Sequence, residues 1–235
     1  MDDFSTKGFL SSTLASQQAR ARERFKADFD ACEAWSDRAL ASLNAMTAGF
    51  KHPSVLFAVA CWMRCIRACQ AGILLAERGM MPDALTQARS AVESLFYAVA
   101  LVENPELLER FVEHDMFERI KQARGVLSVP SIMLHVTPED RARIEALTLK
   151  AAEKPRDWPA YEAARHANLL ELYQTLFRGF SLGAAHCTLT ALDHELNPSS
   201  LGDLDFGPSY MQLTETLDML GVCLRTGVER FAGKL

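Results

Sequence analysis

Long hydrophobic runs are missing from this sequence of 235 residues. The most apolar stretch is Val55 to Met63, and Arg64 and Arg67 close it. A membrane-spanning helix needs about 20 apolar residues. The N-terminus, Met1-Asp2-Asp3-Phe4-Ser5, is acidic and lacks the apolar centre of a secretory signal. These absences predict a cytoplasmic protein with no membrane partner. Positive charge is in deficit too: 25 Lys and Arg stand against 30 Asp and Glu, a net charge of −5. An overall basic coat for nucleic acid is thereby excluded, and a local basic patch is not.

Other signatures are absent as well. No C-x-x-C occurs among the six cysteines. Cys61, Cys65 and Cys69 follow an i, i+4, i+8 spacing and form one helical stripe that contains no histidine. Neighbouring turns of a helix give poor disulfide geometry, and zinc-ligand spacing is missing. These thiols read as small buried hydrophobes. There is no G-x-x-x-x-G-K-[ST], G-x-G-x-x-G or G-x-S-x-G, so no cofactor is expected. Internal repeats and low-complexity tracts are absent. No stretch alternates with period two over a useful length, which argues against a sheet.

What is present is helical periodicity. Hydrophobic residues make up 49% and charged residues 23%, values of an ordinary globular chain. A single domain over residues 1–235 is expected, an all-α antiparallel bundle of about seven or eight helices. An N-terminal amphipathic helix is expected over 12–48, with Phe25, Phe29, Cys32, Ala39, Leu43 and Met46 on one face. Gly49 and Lys51-His52-Pro53 end it, and Ser54 is expected to cap a second helix from Val55 to Arg78, stopped at Gly79. Pro82 suits the first turn of a third helix, Asp83 to Val102. Asn104-Pro105 restarts the chain for a fourth helix ending near Arg124-Gly125. The apolar stretch Val126 to Val136, broken by Pro130, is expected to be a loop packed on the core. Thr137-Pro138-Glu139-Asp140 starts another helix, ending near Lys154-Pro155. From Ala160 a helical stretch is expected to break at Ala167-Asn168 and run on to Leu196. A loop follows from Asn197-Pro198-Ser199-Ser200 to Gly207-Pro208, then a last helix within 209–232.

In such a bundle the informative groups are polar residues set in apolar helices, since burying them unpaired costs free energy. Arg64 and Arg67 lie on the most apolar helix. Arg89 and Glu93 are one turn apart, with Leu85, Val92, Phe96 and Val99 as the core stripe beside them. Arg110 and His114 are likewise one turn apart, with Asp115 adjacent. His186 sits among Ser181, Gly183, Ala184 and Ala185. One reading is a buried ion-pair network, Glu93 meeting Arg64 or Arg67 from the neighbouring helix. The other is a pocket where these groups converge. Tyr173 and Ser181 are each about 140° from His186 around a straight helix, so sharing a pocket requires a bend, as at Gly179 or Gly183, or Tyr173 reaching a different layer, and the geometry favours His186 with Arg89 and Glu93 from another helix. Metal binding is not expected. A di-iron bundle repeats Glu-x-x-His, whereas here Glu113 and His114 are adjacent. His186 and His194 are about 80° apart on a helix; His186 and Asp193 share a face better, but one pair is not a site.

Arg89-x-x-x-Glu93, Asn104-Pro105 with Arg110-Phe111, Tyr173, and Ser181-x-x-x-x-His186 resemble a bacterial helical family of unknown function, DUF5677, over roughly residues 55–197. The resemblance implies a helical domain without an assigned reaction. The later part also looks like HEPN helical domains, many of which are ribonucleases of toxin or defence systems. Their signature is an arginine, four to six residues, then a histidine. Here Ser181 stands at the spacing where arginine belongs, and a serine cannot supply an arginine's cationic stabilisation. Two functions follow as expectations. The first is a non-enzymatic binding or interaction module that self-associates, with Arg64, Arg67, Arg110, His114, Tyr173 and Ser181 as candidate ligand-binding residues. The second is a HEPN-like ribonuclease or RNA-binding domain using His186 with Arg89 and Glu93, His186 acting as general acid or base.

Overall fold

A computed structural model describes residues 3–46, 52–193, 195 and 206–234. Of these, 81% are helical and none is in a strand. The long helices are α1 (Leu14–Arg24), α2 (Lys26–Asn44), α3 (Pro53–Glu77), α4 (Met81–Glu103), α5 (Leu108–Leu127), α6 (Pro138–Leu149), α7 (Ala160–His166), α8 (residues 170–185) and α9 (Leu213–Phe231). Gly49, Lys51, His194 and the first part of the expected loop, Asn197-Pro198-Ser199-Ser200, lie outside the described residues.

The bundle is built around α4. Ala91, Val92 and every residue from Ser94 to Val102 are buried, as a helix apolar on all sides requires. Its expected core stripe of Leu85, Val92, Phe96 and Val99 is buried throughout. Helix α3 packs along α4, α9 packs against α2, α3 and α4, and α7 and α8 also lie against α4. Cys32, Cys65, Cys69 and Cys223 are all buried inside the bundle. Hydrogen bonding among neighbouring thiols, and then burial, hold Cys69 and Cys223 well above the ordinary thiol value. They are packing groups rather than nucleophiles.

Close helix contact depends on one missing side chain. A Cβ on Gly227 of α9 would fall 2.1 Å from the ring of Trp62 on α3. Trp62 is fully buried and stacks on Phe231, ring centroids 5.8 Å apart. Gly79 ends α3 with φ +75°, and a Cβ there would meet Pro208 at 2.7 Å.

Several local expectations change. The N-terminal helix is two: Phe25 leaves helical geometry (φ −108°, ψ 29°) and its ring meets Tyr210. The cap of α3 is His52, whose Nδ1 accepts the Ser54 N–H at 3.1 Å. Ser54 instead donates its hydroxyl to the Leu101 carbonyl in the core (2.8 Å). Thr137 caps α6 as its sequence predicts, accepting the Asp140 N–H. The break after α7 falls at Asn168, with φ +54°. The segment 126–136 does not pack on the core. Helix α5 continues to Leu127, a single turn follows at Pro130–Met133, and Val129, Ile132 and Leu134 are exposed, Leu134 by 84%. The reason is its place in the chain. Helices α5 and α6 pair with each other as an arm, and this segment joins them at the end about 30 Å from where α5 begins. Helix α6 buries no residue at all.

Among the described residues one helix, α3, is long and apolar enough to cross a membrane, and 44% of its most apolar window is buried inside the bundle. The apolar faces of α2 and α9 are buried against one another and against α3 and α4.

Candidate functional site

An open cleft of about 490 Å³ lies where α4, the start of the arm, the turn before α7, and α8 meet. Helix α4 supplies Arg89, Glu93 and Tyr97, one turn apart along a single stripe. Helix α5 supplies His114 and Glu118, also one turn apart. The turn supplies Asp157, and the α7 and α8 stretches supply Tyr161, Tyr173 and Phe177.

Helix α8 is shaped for this. It contains two π-helical turns, Tyr173–Phe177 and Ser181–Ala185, separated by an α turn at Arg178–Phe180. An i→i+5 turn holds more residues than the 3.6 of an α-helix, so residues four apart no longer overshoot by about 40°. Tyr173, Phe177 and Ser181 therefore stay in line. Tyr173 and Phe177 stack at 5.2 Å with 19° between their planes.

Arg89 is held on three sides. Its guanidinium lies over the Phe177 ring, 4.6 Å from the centroid. Its Nε donates to Ser181 Oγ at 3.0 Å, and Nη1 donates to Glu93 Oε2 at 3.2 Å. The Ser181 hydroxyl in turn donates to the Phe177 carbonyl at 2.7 Å. Its proton is committed, which leaves it a poor nucleophile.

On the opposite wall the Trp158 backbone N–H donates to His114 Nδ1 at 3.2 Å, and Asp157 Oδ1 stands 3.0 Å from the same nitrogen. One nitrogen serves one of these partners at a time: it accepts from Trp158 when bare and donates to Asp157 when protonated. The His114 ring is stacked on Tyr97 at 5.8 Å. The Tyr97 hydroxyl donates to the Trp158 carbonyl at 2.6 Å. Burial pushes the Tyr97 phenol up, and the Glu93, Asp157 and Glu118 carboxylates push it further, so the cleft carries a negative field. Tyr161 and Tyr173 meet edge to face at 5.4 Å. Neither of their hydroxyls has a hydrogen-bond partner among the described residues.

The structure thus gathers Arg89, Glu93, His114 and Tyr173 into one cleft, with Ser181 behind Arg89. Arg110 stands behind the wall rather than in it. It reaches Glu162 (3.3 Å) and His166 Nε2 (3.4 Å), and its guanidinium is 5.9 Å from the centre of the buried Trp158 ring. Burial, Arg165 and Arg110 hold His166 below the usual imidazole value.

Three candidates are elsewhere. Arg64 and Arg67 are exposed and do not meet Glu93, which pairs with Arg89 on its own helix. Trp62, Cys65, Ile66, Cys69 and Ile73 turn inward on α3, and Arg64 and Arg67 sit about 200° and 140° around the helix from Trp62. The cross-helix buried pair is therefore replaced by a half-exposed pair within one helix. His186 follows the last π turn in extended geometry (φ −111°, ψ 142°), is exposed, and does not line the cleft. A Cβ on Gly183 would meet nothing within 4 Å, while Ser181 and Ala184 turn toward α4 and the core, so these small residues make no room beside His186.

Sequence reasoning did not single out Tyr97, Glu118, Asp157, Tyr161 or Phe177. Tyr97 could have been found, since it continues the Arg89, Glu93 spacing by one more turn. Asp157 belongs to a turn and Tyr161 to the first turn of α7, and no spacing announces their place beside α4. Among the described residues no group of three or more His, Cys, Asp or Glu side chains is arranged to hold a metal ion.

No curated protein and no solved structure matches the chain. A family model does, over residues 55–203, from the start of α3 through α8. That span includes every residue of the cleft, and on it the chain belongs to DUF5677, a family of unknown function.

Proposed function

We propose that this protein is a non-enzymatic binding module whose cleft takes a small organic cation, an amine or a guanidinium. One observation carries the reading: the cleft already holds a guanidinium of its own. Arg89 rests on an aromatic face with a carboxylate and a hydroxyl at its edge, the arrangement in which ring quadrupole and charge act together. Tyr161 and Tyr173, with Asp157 and Glu118 across the cleft, offer a second incoming cation the same kind of surroundings. Three carboxylates and one guanidinium line the space, so the field favours positive charge. The ribonuclease alternative is less supported, because His186 stands apart from Arg89 and Glu93 and the Ser181 hydroxyl is committed.

Calorimetric titration with agmatine, which carries both an amine and a guanidinium, tests this. Binding is expected for the wild type, with a loss of about tenfold or more in Asp157→Asn/Tyr173→Ala, and none is expected for the dicarboxylate glutarate. Absence of agmatine binding at millimolar concentration overturns the cation reading. Hydrolysis of RNA that disappears in His114→Ala overturns the non-enzymatic one.

A further inference from the structure

On the arm, away from the Arg89 cleft, a second cavity of about 300 Å³ opens between α5 and the chain that follows α6. Its floor is Phe117, Ile120, Ala151 and Pro155, and the remaining lining groups are Lys121, Arg124 and Lys154. No carboxylate lines it. Lys121 is held by Glu118, at 3.2 Å and 3.4 Å from its two oxygens. Arg124 and Lys154 have no ion-pair partner among the described residues. The molecule as a whole is acidic, so an apolar hollow rimmed only by cations departs from its surroundings. Ile120 is 4% exposed, which gives the floor a dry base. At this volume the cavity stands at the lower edge of small-molecule sites, roughly 300–1,000 Å³.

We propose that this cavity binds a short amphiphilic carboxylate, of the medium-chain fatty acid class. The alkyl chain would cover Phe117, Ile120 and Pro155, and each methylene taken out of water favours the bound state. The carboxylate would lie between Arg124 and Lys154, where a guanidinium can take both oxygens at once. This rests on charge complementarity at a site separate from the cleft and does not depend on the cation reading.

The test titrates the protein with octanoate. Octyltrimethylammonium serves as the same chain with the opposite charge, and acetate as the head group without the chain. Octanoate is expected to bind, with neither control binding within about tenfold of it. Arg124→Glu/Lys154→Glu alters exposed residues only. It should keep the wild-type circular dichroism and agmatine response while weakening octanoate about tenfold or more. Equal affinity for octyltrimethylammonium would mean a greasy surface without charge selection, and would overturn the proposal. So would unchanged octanoate affinity in the double variant, or no octanoate binding at millimolar concentration. Cosedimentation with phosphatidylglycerol vesicles that the double variant loses, in the absence of octanoate binding, would assign the cavity to a membrane surface instead.

Discussion

Single residues in this protein carry very unequal weight. Gly227 has no side chain, yet Trp62 occupies the place where one would be. Gly227→Ala should cost about 3 kcal/mol, at the upper end of overpacking, and lower the melting temperature by roughly 10 °C. A shift below about 2 °C would show that α9 can move off Trp62 at little cost. Arginines illustrate how far residues were legible in sequence. Arg89 and Glu93 could be picked out because they interrupt an apolar stripe, and that logic holds for α4, where the polar side chains that break the apolar surface face the cleft. It fails for Arg64 and Arg67 because α3 has an outer face despite its apolar composition. His186 drew notice through small neighbours, but Gly183 borders open space and Ser181 and Ala184 turn toward α4 and the core, away from it. His114 and Tyr173 were visible, but the residues that complete their surroundings, Asp157 and Tyr161, come from a turn and the start of the short helix α7. Their placement depends on tertiary contacts such as the Tyr97 hydroxyl meeting the Trp158 carbonyl.

At the scale of elements, starts and stops were the most legible. Thr137, Gly79 and Asn168 mark boundaries for local reasons: a side-chain acceptor, or a left-handed backbone. Helix type was not legible. The π turns of α8 respond to the packing of Tyr173 and Phe177 on α4, where both rings meet Phe96, and periodicity alone does not distinguish them. Nor was the arm foreseen, because α5 and α6 are periodic like core helices while burying little beyond Ile120 and Ala123. Helix α8 offers a direct test of what its glycines do. Gly179 and Gly183 face a groove of about 440 Å³, and a Cβ on either would touch nothing. Gly179→Ala should therefore stabilise the protein by about 0.5–1 kcal/mol through lost chain entropy in the unfolded state. Denaturant unfolding reads this directly, and a destabilised variant would mean that the groove closes on the helix in solution.

For the molecule as a whole, the fold has a centre and an appendage. Helix α4 is surrounded by α3, α7, α8 and α9, while the arm is attached mainly through Phe111 and His114 against Tyr97 and Trp158. The cleft lies at that attachment, so a bound ligand would bridge the part with the deepest packing and the part with the least. The all-α class followed from sequence, since 235 residues without strand alternation leave little else. Which helix would sit in the middle is decided by how its neighbours share apolar surface. That central position has a consequence for how the molecule opens. Residues 95–102 are all buried, and their backbone amides are hydrogen-bonded within α4. In deuterium oxide they should exchange only when the entire chain unfolds, with the denaturant dependence of global unfolding, while amides of α6 exchange through local fraying at far lower free energy. Exchange of residues 95–102 within minutes under native conditions would mean that the bundle separates along α4 without unfolding. The slowest amides in the protein should then be found not at a sheet or a disulfide but along eight consecutive residues of one helix, whose protection factors measure the stability of the whole.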